Sequence, residues 1–428
     1  MGQEKDAVYF DFVSQPSRAV VLFVRCASLP VEERPVALRK GQQRSKEYLS
    51  MNPLGKVPCL KEADGFVLPE SAAILKYLAQ KHQVADHWYP SNLRQRARVD
   101  AAMDWHHWTA RRGAAGQVWN RVLAPMSGQQ GSEAIAEGSV GILKQALQDL
   151  EGYWLASTPY MAGEDISIAD LLVVMELTQL HMLNGALKGP SMEGQLQPFR
   201  KVQKWLQRTQ DATQPHFSAV HQMLHKASAN AVEWKGSMKG GVGVGPGDQP
   251  RPPLSCHRGA PQCILRQSPW PWRPYCWLAD LHTDSEKMLS KGMAGEFGKP
   301  TVADAAEAGM KNFRHTLMYN SMSGHGRCTS GQDLEGYWLA SAPFMAEEDI
   351  SIADLLVVME LTQLHMLDGA LKGPSMEEQL QPFPKVRKWM ERTQETTEPH
   401  FSAVHQMLHK ATANAMKWKG SMKGQSRL

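Results

Sequence analysis

The first ninety residues break into short apolar runs divided by turn residues and by stretches with helical spacing. Val8 to Val13 is apolar and β-rich, which predicts a buried strand. Ser14 is an N-cap type and Pro16 suits a first helical turn, so a helix follows. Its inner face is Ala19, Val20, Phe23 and Val24, and it ends near Ser28. Arg34 to Leu38 predicts a second strand. Asn52-Pro53-Leu54-Gly55-Lys56-Val57-Pro58-Cys59-Leu60 predicts a turn entering a third strand, and Phe66-Val67-Leu68 a fourth. Glu70-Ser71 caps a helix from Ala72 to about Lys81. The order β-α-β-loop-β-β-α suits a small mixed sheet with helices on its faces.

From Ser91 onward the pattern is helical. Ser167-Ile168-Ala169-Asp170 stands before Leu171 to Met175 as a capping box opening a buried helix. His216, His221 and His225 invite a metal reading, because i and i+4 share a helix face. No carboxylate completes that set, so surface or core histidines are the preferred reading and no metal is expected.

Residues 150–240 recur at 334–424 with a constant offset of 184, and 15 of the 91 aligned positions differ. This pattern reads as a partial duplication of a 244-residue unit. Residues 241–333 have no counterpart, and their Gly/Pro density reads as linker with one helix candidate at 301–318. The divisions are therefore 1–85, a strand–helix domain; 92–240, all helical; 241–333, the insert; 334–424, the repeat; and 425–428, the tail. The second copy has no equivalent of the first 149 residues, so it is not a second active site. Four outcomes are open for it: exchange with the first copy, packing on another chain, poor order, or an origin as a fusion or splicing artefact.

Composition narrows the function. The net charge is only +4, unlike the basic excess of a nucleic-acid binder. No apolar run approaches the ~18 residues of a membrane span, and the start of the chain is too polar for a signal peptide. Six cysteines are too few for a disulfide scaffold, which points to an intracellular, reducing compartment. Four of them, Cys256, Cys263, Cys276 and Cys328, lie in the insert at spacings that fit no zinc pattern.

Candidate chemistry gathers in the first domain. A serine hydroxyl at a strand-to-helix junction has the positive end of a helix dipole behind it. Such a site lowers a thiol pKa from ~8.5 toward neutrality. Ser14 fits that description, Arg18 adds charge one turn along, and Ser71 repeats the arrangement for a carboxylate. Taken singly, each serine is also an ordinary N-cap.

Ser-Gln-Pro-Ser-Arg-Ala-Val at 14–20, Asn-Pro-Leu-Gly-Lys-Val-Pro at 52–58 and Pro-Glu-Ser-Ala-Ala-Ile-Leu-Lys-Tyr-Leu at 69–78 occur in order. Asp86-His87-Trp88-Tyr89-Pro90, Ala97-Arg98-Val99-Asp100, Trp105-His106-His107 and Arg111-Arg112-Gly113-Ala114-Ala115-Gly116 follow. The chain over 7–240 resembles the theta-class cytosolic glutathione transferases, most closely the plant members. That resemblance implies an α/β thioredoxin-like domain followed by an all-α domain. It implies that Ser14 holds the glutathione sulfur as thiolate and that Pro58 is cis. The Val57 backbone would then pair with glutathione like an added strand. It implies Glu70 and Ser71 at the γ-glutamyl end, Lys56 near the glycine carboxylate and Arg111 near the sulfur. Gln43 stands where animal members often carry histidine, and Ser17 is a weaker competitor of Ser14. Trp105, His106 and Trp108 are candidates for the second-substrate pocket, with aromatic core packing as the alternative.

The expected activity is conjugation of electrophiles and reduction of organic hydroperoxides by a homodimer, with glutathione as cosubstrate and no metal. A non-catalytic ligand carrier or interaction protein is the alternative. Ser426-Arg427-Leu428 resembles a peroxisomal address read by an import receptor, so peroxisome and cytoplasm are the expected locations.

Overall fold

A computed structural model describes residues 5–239, 333–346, 348–369 and 375–425. They belong to two compact units, one within 1–290 and one within 291–428. The predicted helix at 301–318, the four insert cysteines and the terminal Ser426-Arg427-Leu428 lie outside the described residues.

The first unit opens with β1 (Ala7–Phe10), α1 (Gln15–Cys26), β2 (Glu32–Pro35), α2 (Lys46–Met51), β3 (Cys59–Lys61), β4 (Val67–Pro69) and α3 (Ser71–Lys81). The strands form one sheet in the order β2-β1-β3-β4. β1 runs parallel to β2, while β1–β3 and β3–β4 are antiparallel. Val8 and Leu60 face each other in the register, and both are fully buried beneath the Ala19–Phe23 face of α1.

Four expectations need correction. β1 stops at Phe10, short of Val13, because the Asp11 carboxylate accepts the Val13 and Leu38 N–H groups and turns the chain. The second strand is Glu32–Pro35, displaced toward the N-terminus from the predicted Arg34–Leu38; Leu38–Lys40 is a 3₁₀ turn. The predicted loop before β3 contains α2, started by Ser45, whose Oγ accepts the Tyr48 N–H at 3.1 Å. At α3, Glu70 is the cap position and Ser71 the first helical residue; the Glu70 side chain makes no capping bond.

The helical part comprises α4 (Leu93–Trp108), α5 (Ala110–Val118), α6 (Glu133–Asp149), α7 (Ile168–Gln179), α8 (Met192–Leu196), α9 (Arg200–Ala212) and α10 (His216–Lys239). Every residue of α7 is buried, so it is the axis of the unit, with α1, α4 and α5 packed on it. Each large aliphatic side chain so buried contributes about 1.5–3 kcal/mol. The capping box predicted at Ser167 and Asp170 is present. Asp170 also accepts the Met161 N–H at 3.0 Å and the Trp205 indole N–H at 2.7 Å. Burial raises the Asp170 carboxyl against these two donors and the Ser167 N–H and hydroxyl. Gly113 lets α5 lie directly on α6, since a Cβ there would stand 2.6 Å from the Leu143 backbone.

The second unit contains a π turn at Leu334–Trp338, then α11 (Ile352–Thr362), α12 (Met376–Leu380), α13 (Pro384–Thr397) and α14 (His400–Gln425). Ser351 and Asp354 form a capping box, and the Trp389 indole N–H donates to Asp354 at 2.6 Å. Its own small core includes Leu334, Val358, Val386 and Trp389.

Candidate functional site

The sheet register gathers most of the candidate residues at one end. Tyr9 pairs with Cys59 and Cys59 with Pro69. One ladder step further, the chain leaving β1 toward Ser14, the Val57–Pro58 entry to β3 and the Glu70–Ser71 exit from β4 lie side by side. The Val57–Pro58 peptide is cis, as the resemblance implies.

Ser14 is the N-cap of α1, half-buried, with extended backbone. The Ser17 N–H donates to its Oγ at 3.4 Å, which leaves the hydroxyl proton available to an incoming acceptor. The Ser17 hydroxyl is fully buried and unpartnered, one turn inside the helix. Arg18 does a different task from the one expected. Its guanidinium is fully buried, donates to the Phe12 carbonyl at 2.8 Å and to Gln179 Oε1 at 2.7 Å, and so ties α1 to α7. Burial lowers its pKa to about 10 against the opposing charge of Glu176.

The turn before Pro58 is held from inside. Tyr48 Oη and Asn52 Nδ2 both donate to the Lys56 carbonyl, at 2.7 and 3.0 Å. Gly55, at φ +59°, brings the Gln43 backbone beside this turn. Gln43 is buried and its Oε1 has no hydrogen-bond partner in the protein. Glu70 holds φ +71°, a left-handed conformation that costs about 1–3 kcal/mol and that clusters at ligand clamps. Gln43, Lys56, Val57, Pro58, Glu70 and Ser71 therefore share one locale.

Arg111 approaches from α5. Its Nη1 donates to Glu176 Oε1 at 2.7 Å, and His106 Nε2 lies 3.4 Å from the same oxygen. Burial alone would raise the Glu176 carboxyl, but Arg111 and His106 hold it down to about 2. Sequence reasoning passes over Glu176; its signal is a carboxylate that directly follows the apolar run Leu171–Met175, past the capping Asp170. The crowding of atoms around the His107 ring, then the charges of Arg111, His106 and Lys56, push its imidazole down to about 4, although the residue keeps an open edge to solvent.

The three pocket candidates separate. The Trp105 indole donates to Asp149 at 3.0 Å and its ring packs on Trp154, the core alternative. His106 is buried against Glu176. Trp108 alone is open, 49% exposed, with the Arg112 guanidinium over its face. Both free cysteines among the described residues are raised by burial, Cys26 to about 11 and Cys59 to about 12, so neither supplies a thiolate. A cavity of about 550 Å³ lies at the far end of α1, lined by Cys26, Val84, His87, Trp88 and Tyr160 among others, and holds none of the candidate residues.

Of the three α10 histidines, His221 has both ring nitrogens engaged. The Thr178 hydroxyl lies 3.0 Å from His221 Nε2, and the Phe217 carbonyl 2.8 Å from its Nδ1. Among the described residues no group of His, Cys, Asp or Glu has metal-holding geometry, and no helix is long and apolar enough to cross a membrane.

Residues 6–80 match the family model "Glutathione S-transferase, N-terminal domain" and residues 102–210 match "Glutathione S-transferase, C-terminal domain". The chain is 42% identical to Glutathione S-transferase T1 of Arabidopsis thaliana, over 51% of this chain and 89% of that protein. It is 46% identical to human Glutathione S-transferase theta-2B, over 40% of this chain and 70% of that protein. With Glutathione S-transferase T2 of Arabidopsis thaliana it shares 41%, over 51% of this chain and only 37% of that longer protein. The crystal structure of human glutathione transferase theta-2 with glutathione and an unknown ligand is 37% identical, over 54% of this chain and 91% of that one, with a TM-score of 0.49.

Proposed function

The chain belongs to the glutathione S-transferase family, in its theta class, and on that footing we propose that it binds glutathione and that Ser14 holds the glutathione sulfur as thiolate. The supporting observation is the Ser14 hydroxyl at the N-terminus of α1, with its oxygen already accepting from Ser17 and its proton free to donate. A donor and a helix dipole aimed at sulfur favour the charged form; each unit of thiol pKa so gained is about 1.4 kcal/mol. The buried Gln43 and the Val57 backbone bind the peptide, with Lys56 toward one carboxylate and Glu70 with Ser71 toward the other end.

The thiolate attacks an electrophilic carbon, forming the C–S bond as the leaving group departs with its electron pair. With a hydroperoxide it attacks the terminal oxygen. The O–O bond breaks, the alkoxide takes a proton and leaves as alcohol, and a second glutathione reduces the sulfenic product to disulfide and water. Trp108, at the open edge of α4, is the candidate contact for the electrophile. We also propose that the active form is a homodimer, that 334–424 arose as a copy of 150–240, and that the tail Ser426-Arg427-Leu428 directs import into peroxisomes.

The test is glutathione-dependent reduction of cumene hydroperoxide and conjugation of an aryl halide by the full chain and by Ser14→Ala. Loss of one donor of this kind lowers turnover by about 10²–10³. Equal rates in the two proteins would sink the serine mechanism. Glutathione binding without turnover in either would favour the carrier reading.

A further inference from the structure

Ser351 to Gln363 repeats Ser167 to Gln179 without a change. In the first unit those residues are the buried α7, covered by α1, α4 and α5. In the second unit the same residues lie open. Ile352 is 77% and Leu356 65% exposed, against 0% and 2% for Ile168 and Leu172; Val404 is 61% exposed against 0% for Val220. Glu360 and Gln363 are exposed as well, at the positions where Glu176 takes Arg111 and Gln179 takes Arg18. The capping box at Ser351 and the bond from Trp389 to Asp354 hold α11 in the conformation of α7, so the face is preformed.

We propose that this face is a docking site for the 5–149 half of a second copy of the chain. Within one chain that half is seated on α7, and α11 offers the same residues as a second seat, so the half of another molecule can take α11 in place of its own α7. The apolar stripe matches α1, and the carboxylate and amide match two arginines spaced as Arg18 and Arg111 are. Two such faces packed on each other would instead bury two Glu360 carboxylates with no arginine from the 5–149 half to meet them, which argues against self-pairing of the stripe. The incoming half leaves a face identical to the one it gains, so the exchange is nearly neutral and follows the domain-swap route.

The test uses two full-length chains with different tags, co-expressed. One carries Leu172→Arg together with Leu356→Arg and so has lost both seats of its own; the other is unaltered at 351–363. The doubly altered chain is expected to co-purify with its partner. Replacing the partner by its Leu356→Arg form should reduce the captured amount roughly tenfold or more, because the exposed Leu356 matters only to docking. Glu360→Gln in the partner should reduce it several-fold. Capture indifferent to Leu356→Arg in the partner would overturn the proposal. Capture that holds or rises with Glu360→Gln would also overturn it, in favour of non-specific or face-to-face packing. The milder chain with Leu172→Asn and Leu356→Asn repeats the comparison if the arginine form aggregates even with the unaltered partner, and the same outcomes decide it.

Discussion

The Arg111 guanidinium and the Glu176 carboxylate meet at 2.7 Å, and through that bond α5 is fixed to the buried axis of the helical domain. Glu176 is almost wholly enclosed while Arg111 keeps one side open, so the acid is a positioning residue that fixes the direction of the cation.

Glu176→Gln should therefore lower both stability and turnover. Removing one partner of a buried ion pair costs about 3 kcal/mol. The folded carboxyl is held to about 2, below its unfolded value, so its contribution is present above pH ~4.5 and is lost as pH falls toward 2. Urea unfolding at pH 7 and at pH 3 reads both parts. A midpoint for Glu176→Gln that matches the parent at pH 7 would refute the assignment.

His221 makes a second, separate acid response. Burial, then the charge of Arg18, pushes its imidazole down to about 3, below the unfolded value of about 6.5. The unfolded chain takes up the proton first, so stability is lost as pH falls from about 6.5 toward 3. In His221→Asn the slope of stability against pH should be shallower over that window. An unchanged slope would place the acid sensitivity elsewhere.

Trp105 and Trp108 should respond in opposite ways. Trp105→Phe removes the bond to Asp149 while keeping a ring, and should cost about 1–2 kcal/mol with little effect on KM. Trp108→Ala should leave the melting temperature near that of the parent and raise KM for bulky electrophiles. Thermal melts beside steady-state kinetics separate the two; a reversed pattern would reassign the pocket.

Gly113→Ala should destabilise the unit by about 1–3 kcal/mol through overpacking, because the added methyl meets the backbone of Leu143 and no flexible side chain can yield. Gly141→Ala, with open space at its Cβ, should be neutral or slightly stabilising by about 0.5–1 kcal/mol. Denaturant midpoints of the two variants provide the comparison.

What was legible in the sequence was what local pattern encodes. The cap at Ser14, the turn before Pro58 and the capping box at Ser167 all depend on neighbours a few residues away. Glu176 was not legible, because its meaning depends on Arg111, 65 residues earlier. Trp105, His106 and Trp108 were grouped by closeness along the chain, but a helix turns 100° per residue and sends them to different surroundings. Arg18 resembled a site cation by position; only the fold shows that Gln179 takes one of its donors. α2 escaped because its one strong signal, Ser45 followed by Glu47, sits in a run of polar residues with no apolar period.

The offset of 184 residues between the two identical helices is also an interval of time. At about 5–20 residues per second on the ribosome, the second helix emerges roughly 10–40 s after the first. For that interval the amino-terminal half has α7 available and α11 does not yet exist, so the newborn chain meets one seat before the alternative has been made. Protein refolded from urea has no such history: both helices meet the amino-terminal half at once. The route by which this chain reaches its folded state can thus leave a lasting mark on which of two equal partners it holds.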